Sequence, residues 1–354
     1  MSLRDVHNSK GAILAQDGIP LHYGDLLAEY QAALQTAILL DRSHEGRIQI
    51  FGKDRFELLN RMSTNQMIHM AQDEGRPTIF INANARIIDR IFVYNRGDHL
   101  LVVTEPGQGQ TITDFIQRQI FFNDDVRLLN ITPKTAQFAL HGPSADAVLG
   151  EMGFAVGHIK DLHGTNHYID GTEIFAGRKK SVSGLHWIIV CAIEDAEKVY
   201  QSLLLSGESY GIIPAGSLTY NTLRIRAGRP ARPELNSDYI PLEIGLWDEV
   251  NFSKGCYTGQ EIIARMESRG QLAKTIVSLS MQTFVQAPSE ITLEGNVIGK
   301  LTSSVEAPDG KIFTMGIIRT KVIKPNLAVM IGQNQISAII QQRLGVQPDI
   351  VSSE

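Results

Sequence analysis

Residues 77–105 read PTIFINANARIIDRIFVYNRGDHLLVVTE. PTIFIN (77–82), RIIDRIFVYN (86–95) and HLLVVTE (99–105) each have the length and the β-branched content of a strand, and Arg96-Gly97-Asp98 offers a hairpin turn between the last two. Strands joined by turns this short pair antiparallel, because a parallel pair needs a crossover of about a dozen residues or more. The stretch therefore argues against a doubly wound parallel sheet and for an α+β fold. One residue is out of keeping with it. Asp89 places a carboxylate on an otherwise apolar strand, which is costly unless the group is solvated, paired or used.

Working outward, GRIQIFG (46–52) alternates like a strand, and the helix expected after it carries Phe56, Leu58, Leu59 and Met62 at helical spacing. A helix is expected around 108–121, then strands at 126–132 and 136–142. The order recurs loosely with a buried strand at 186–192, a helix at 195–207 ending on Gly207 and another at 217–228 stopped by Gly228. After Gly270 the sequence turns to short β-rich segments separated by Gly, Asn, Asp and Pro, which read as a small antiparallel barrel or sandwich. The expected organisation is a first α+β module over 1–130, which can interleave with the second, a second over 131–270, and a C-terminal β-barrel over 271–354. QPDIVSSE (347–354) reads as a frayed end.

Composition sets outer limits. At 354 residues the chain exceeds a usual single core, so two or three modules are expected. A net charge of −5 gives no global pull towards nucleic acid or an anionic membrane. Cys191 and Cys256, the two cysteines, make neither a disulfide framework nor a zinc site, and a reducing compartment, the cytoplasm, suits them. No signal or transit segment and no membrane-spanning apolar run is read from the sequence. The histidines show no metal-binding spacing, so no resident metal is expected.

KGCYTGQE (254–261) is the most chemically pointed segment. Thr258-Gly259-Gln260-Glu261 reads as a capping box opening a helix over about 259–268. Cys256 then lies two residues before the N-cap, where the helix dipole and Lys254 both favour thiolate. In apolar surroundings the same thiol would be inert. Gly255 and Gly259 allow close approach of a backbone or a ligand.

The segment also resembles the K-G-C-[FY]-x-G-Q-E signature of YgfZ-type folate-binding proteins, relatives of the glycine-cleavage T-protein, GcvT. DRSHEGRIQIFGKDRFELLNRMSTN (41–65), NARIIDRIFVY (84–94), ALHGPSA (139–145), LRIRAGRPARPEL (223–235) and PLEIG (241–245) resemble further family segments in the same order. The resemblance implies a three-module cloverleaf around a central channel that holds tetrahydrofolate. In the T-protein, folate accepts a methylene from an aminomethyl group on the lipoyl arm of a carrier protein, with release of ammonia. In the YgfZ branch, the protein supports assembly or repair of iron–sulfur client proteins. The signature cysteine favours the YgfZ reading. The alternative is a folate-dependent aminomethyltransferase or another one-carbon transferase.

By this resemblance Asp89 matches the first of the T-protein's paired aspartates, and Arg90 replaces the second. Asp89 and Cys256 are the candidate catalytic residues. Asp89, Arg224, Glu243, Tyr220 and Trp187 are the candidate folate-binding residues, while Arg224 and Glu243 could equally form structural ion pairs and the two aromatics could simply pack. Lys254, Gly255, Tyr257, Gly259, Gln260 and Glu261 complete the signature. The stretch in which the family carries its pterin-contacting glutamate corresponds to SVSGLHWIIV (181–190), which has no carboxylate. Cys191 reads as structural, and Arg178, Lys179 and Lys180 as a solvated basic loop or a docking patch.

Overall fold

The computed structural model describes residues 2–169, 171–270, 272–324 and 326–345, so the C-terminal stretch expected to fray lies outside the described residues. The chain opens with helix α1 (Leu3–Ser9), whose first turn is closed by a reciprocal capping box between Ser2 and Asp5. A short ribbon of β1 (Ile13–Leu14) and β2 (Pro20–His22) leads to α2 (Leu26–Gln35) and to β3 (Ala37–Asp41), a strand buried at every residue.

Two runs of elements then follow the same plan of strand, helix, three strands, helix, strand. The first is β4 (Glu45–Phe51), α3 (Arg55–Met62), β5 (Gly75–Ile81), β6 (Ile87–Asn95), β7 (His99–Pro106), α4 (Gly109–Gln117) and β8 (Arg127–Asn130). Its sheet has the order β5-β6-β7-β4-β8. The second is β9 (Thr135–Gly142), α5 (Ala145–Glu151), β10 (Gly164–Ile169), β11 (Thr172–Arg178), β12 (Leu185–Ala192), α6 (Ala196–Ser206) and β13 (Ile212–Ala215). Its sheet runs β10-β11-β12-β9-β3-β13. Where β4 pairs directly with β8, the second sheet inserts β3, which is antiparallel to β9 and parallel to β13. The hairpin expected at Arg96-Gly97-Asp98 joins β6 and β7 in antiparallel register, with Asn95 opposite Leu100.

Helices α7 (Ser217–Arg226) and α8 (Gln260–Arg269) precede the last six strands: β14 (Lys274–Met281), β15 (Ser289–Leu293), β16 (Asn296–Glu306), β17 (Ile312–Arg319), β18 (Ala328–Ile331) and β19 (Ile336–Arg343). They close into a barrel, β14-β17-β16-β15-β18-β19, which leaves no open strand edge. Val277, Leu279, Ile291, Leu301 and Ile331 fill it. The fold is α+β with a closed C-terminal barrel, as the strand pattern implies.

The chain divides into two compact units. One comprises Met1–Leu58, Met67–Pro77 and Ile91–Leu223; the other comprises Leu59–Gln66, Thr78–Arg90 and Arg224–Glu354. The first holds a core built on Leu39, Phe138, Leu140, Trp187, Ile189, Tyr200 and Leu203. The second joins the barrel to a core in which Ile79, Ile81 and Ile87 pack with Leu242, Ile244, Ile263 and Ile276. Asp89 and the segment 254–261 thus belong to the same unit despite their separation in sequence.

In the first unit a buried polar relay secures the N-terminus. His7 Nε2 lies 3.0 Å from Asp41 Oδ2, and His7 Nδ1 lies 2.7 Å from Tyr23 Oη, which is 3.0 Å from Tyr200 Oη. Burial by itself would raise the Asp41 pKa, but hydrogen bonds from His7 and Ser43 outweigh it and hold the carboxyl below its usual range. A depressed carboxyl stabilises the fold above its unfolded pKa, and that contribution is lost as the pH falls through the folded value. Asp41→Asn is therefore expected to cost roughly 1–3 kcal/mol at pH 7. In urea melts, the gap from wild type should shrink once the pH drops below about 4.

Candidate functional site

Lys254 is buried, and its Nζ donates to the carbonyl oxygens of Asn60, Ser63 and Asn65 at 2.6, 2.7 and 2.7 Å. These carbonyls belong to the end of α3 and the turn after it, where a helix leaves its last acceptors without intrahelical partners. One ammonium satisfies three of them with all of its protons. Burial pushes Lys254 down to about 7. The three close acceptors and the Tyr257 ring, 4.9 Å from Nζ, favour the charged form against that cost. Two further bonds tie the same stretches together: Thr258 N–H donates to Arg61 O at 3.2 Å, and Asn251 N–H to Thr64 O at 2.9 Å.

Cys256 lies between these ties and is exposed, and a Cβ added at Gly255 would meet nothing within 4 Å. The expected capping box does not form. Helix α8 starts at Gln260, and its N-cap is Gly259 at φ +78°, with no side-chain cap. The Thr258 amide is turned towards Arg61 instead. A Cβ at Gly259 would fall 2.6 Å from the carbonyl oxygen of Asn82, so both the backbone conformation and the space call for glycine. Gln260 Oε1 accepts from Tyr257 N–H at 3.3 Å, and Glu261 stands exposed in the first turn, a favourable place for an acid. Cys256 is consequently three residues before the N-cap rather than two. Cys191 is buried, with its thiol pushed up to about 12 by burial.

Asp89 is fully buried on β6. Its neighbour Arg90 makes a two-pronged ion pair with Glu249, Nε to Oε2 at 2.6 Å and Nη2 to Oε1 at 2.5 Å. Glu249 is itself fully buried, and Arg229 approaches it to 3.7 Å. Glu249 was not foreseen from the sequence, where it is one acid among several in a loop. The signal available was Arg90 itself, a cation on an apolar strand that needs a carboxylate.

Arg224 lies in a closed network. Its Nη1 is 3.2 Å from Glu234 Oε2, its Nη2 donates to Ser303 Oγ at 3.0 Å, and Ser303 Oγ donates to Glu234 Oε1 at 2.7 Å. Glu243 sits in the turn Pro241–Ile244, where its Oε2 accepts from Ile240 N–H at 3.2 Å. Burial raises the Glu243 pKa, with the Ile240 bond and the nearby Lys274 and Arg86 opposing.

Tyr220 and Trp187 belong to the first unit. The Arg42 guanidinium lies 4.2 Å above the Tyr220 ring while its Nε donates to Glu45 Oε1 at 2.8 Å. Trp187 is fully buried, with Nε1 donating to Asp146 Oδ1 at 2.8 Å and the Arg178 guanidinium 4.6 Å from its ring. It forms part of the wall of a half-open cavity of about 340 Å³, together with Arg178, Lys179, Lys180 and His186. Of the basic triplet, Arg178 ends β11 and Lys179 and Lys180 follow in the loop, as read, and all three line this cavity. His186 stacks on His141 with ring centroids 3.9 Å apart. Both ring nitrogens of His141 are buried without a hydrogen-bond partner among the described residues. Burial, His186 and Arg42 hold the His141 pKa well below the usual histidine range, so the ring is neutral. Neither histidine was singled out from sequence; His186 does fall in the stretch that lacks the family carboxylate.

The GCVT N-terminal domain family matches residues 3–254. The chain belongs to the GCVT family. It is 30% identical over 343 residues to the Arabidopsis thaliana protein named "Putative transferase At1g60990, chloroplastic", an alignment covering 96% of this chain and 78% of the relative. It is 27% identical over 350 residues to an aminomethyltransferase of Caldanaerobacter subterraneus subsp. tengcongensis, covering 98% and 88%. The crystal structure of the glycine cleavage system aminomethyltransferase T from Bartonella henselae superimposes with a TM-score of 0.86 at 22% identity over 97% of both chains, a likeness of fold. Among the described residues, no group of side chains could hold a metal ion, and no helix is long and apolar enough to cross a membrane.

The two signature glycines separate cleanly. Gly255→Ala should leave the melting temperature nearly unchanged, whereas Gly259→Ala should cost roughly 1–3 kcal/mol from strain at positive φ and the Asn82 clash. Lys254→Met should cost about 3 kcal/mol or more in denaturant titration, because buried carbonyls lose their donor.

Proposed function

We propose that this GCVT-family protein is a tetrahydrofolate-binding protein of the YgfZ type, which supports assembly or repair of iron–sulfur proteins through the thiol of Cys256. The observation that carries this reading is the presentation of that thiol. Lys254 and Thr258 fix the loop on either side, yet Cys256 stays exposed beside a glycine with open space around it. A structural cysteine would be buried, as Cys191 is. Two unbridged cysteines suit a reducing compartment such as the cytoplasm.

The residues present suit a folate. The cavity beside Trp187 and His186 is of ligand size, and His186, which stacks on the buried ring of His141, gives it an aromatic and polar wall that suits a heterocycle with N–H and C=O edges. When bound, tetrahydrofolate supplies a carrier for a one-carbon unit. Arg178 and Lys179 favour the anionic end of such a molecule, and His186 presents its imidazole at the cavity wall, within the stretch that lacks the glutamate.

The second reading, a folate-dependent aminomethyltransferase acting on a lipoylated carrier protein, is favoured by the names of the bacterial relatives and by the buried Asp89. Against it stand the loss of the second aspartate, since Arg90 is committed to Glu249, and the stretch 181–190 without a carboxylate.

Titration with tetrahydrofolate should show saturable binding by wild type and by Cys256→Ala, and binding weakened about tenfold or more in Asp89→Ala. In cells lacking the protein, wild type should restore the activity of iron–sulfur enzymes and Cys256→Ala should not. Ammonia release with a lipoylated carrier and tetrahydrofolate, at rates typical of enzymes, would overturn this reading in favour of the transferase.

A further inference from the structure

A second cavity, of about 520 Å³, lies wholly within the unit that contains the barrel. Its walls carry four cations from four separate places in the chain: Arg86 before β6, Lys274 at the start of β14, Lys300 on β16 and Arg319 at the end of β17. The barrel register sets Lys274 directly opposite Arg319, and Lys300 opposite Ile317, two residues from Arg319 on the same strand. Residues two apart on a strand share a face, so one face of three adjacent strands gathers three positive charges. Like charges directly opposite each other destabilise a sheet. Nothing on the strands repays that cost, because no carboxylate bonds to Lys274, Lys300 or Arg319 among the described residues.

Arg86 completes the ring of charge. Its Nη1 donates to the carbonyl oxygen of Asp238 at 2.8 Å and stands 3.7 Å from Glu243 Oε2. These contacts fix the guanidinium and leave its Nε and Nη2 without a hydrogen bond to the described residues. Lys274 rests 5.3 Å from the Tyr239 ring, a contact that steadies the ammonium without neutralising it. Asp238 and Glu243 are the acids at the site, so cations outnumber them in a protein whose net charge is −5.

We propose that this cavity is a binding site for a small molecule bearing at least two neighbouring anionic groups, phosphate or carboxylate. Two guanidinium forks match the paired oxygens of such groups, and two ammonium groups add charge at their flanks. The volume is that of a small-molecule site. The site shares no lining residue with the Trp187 and His186 cavity and does not depend on the folate reading.

Calorimetry on the full-length protein tests it, with inorganic pyrophosphate and citrate as separate probes and acetate as the single-charge control. At least one of the two multivalent probes should bind saturably at about 1 mM or tighter, and acetate should not. The probe that binds better assigns the group as phosphate or carboxylate. Lys300→Ala and Arg319→Ala should each weaken binding about tenfold, and their combination more than either, while Lys321→Ala, an exposed cation outside the cavity, should leave it unchanged. Both altered side chains are exposed, and unchanged thermal melts would establish that the variants are folded. Failure of both probes to bind, acetate binding as well as they do, or full binding by the double variant would overturn the proposal.

Discussion

An ammonium group taken out of water must find acceptors in the protein, and Lys254 finds three in the carbonyls that α3 and its following turn leave over. Each side supplies what the other lacks. The helix end would otherwise bury unsatisfied oxygens, and the lysine would otherwise bury an uncompensated charge. The path of residues 251–260 follows from this exchange: the chain is held at Asn251, Lys254 and Thr258, and the cysteine between them is left outside. The helix start is displaced as well. With the Thr258 amide already donating to Arg61, Gly259 takes the N-cap position by turning left-handed against Asn82.

The same accounting separates the charges that build the protein from those free to meet a ligand. Arg90 is matched to Glu249, Arg224 to Glu234 and Ser303, and Arg42 to Glu45. Such pairs are strongly destabilising to break and contribute little net stability when intact, so their main effect is to fix which segments meet. Lys274, Lys300 and Arg319 around the barrel cavity and the ring of His141 are arranged differently: among the described residues no carboxylate bonds to those three cations, and both ring nitrogens of His141 are buried without a hydrogen-bond partner. Those are the places where the structure leaves chemistry open.

The architecture is economical in its elements. Two runs of the same order build two sheets, and the single strand β3, made from the apolar segment AILLD, enters the second between β9 and β13. That insertion introduces the parallel pairing of β3 with β13 into an otherwise antiparallel sheet. The barrel then closes on itself and needs no edge protection.

Local pattern was enough for the elements whose period is strong. The hairpin at 86–105, helices α4, α6 and α7 and the β-rich C-terminal region are all legible from alternation and from their Gly and turn residues. β3 was not, because a five-residue apolar run beside a helical pattern has no period of its own. The sequence also isolated Asp89, Arg90 and the motif KGCYTGQE by residue type and resemblance. What it could not supply was partnership over long separations. That Arg90 meets Glu249, that Lys254 meets carbonyls near Asn60, and that Thr258 yields its cap to Gly259 are decided by packing of distant segments. Periodicity and capping preferences are local and can be read along a chain, whereas the satisfaction of a buried charge is settled only when the fold has brought its acceptors to it.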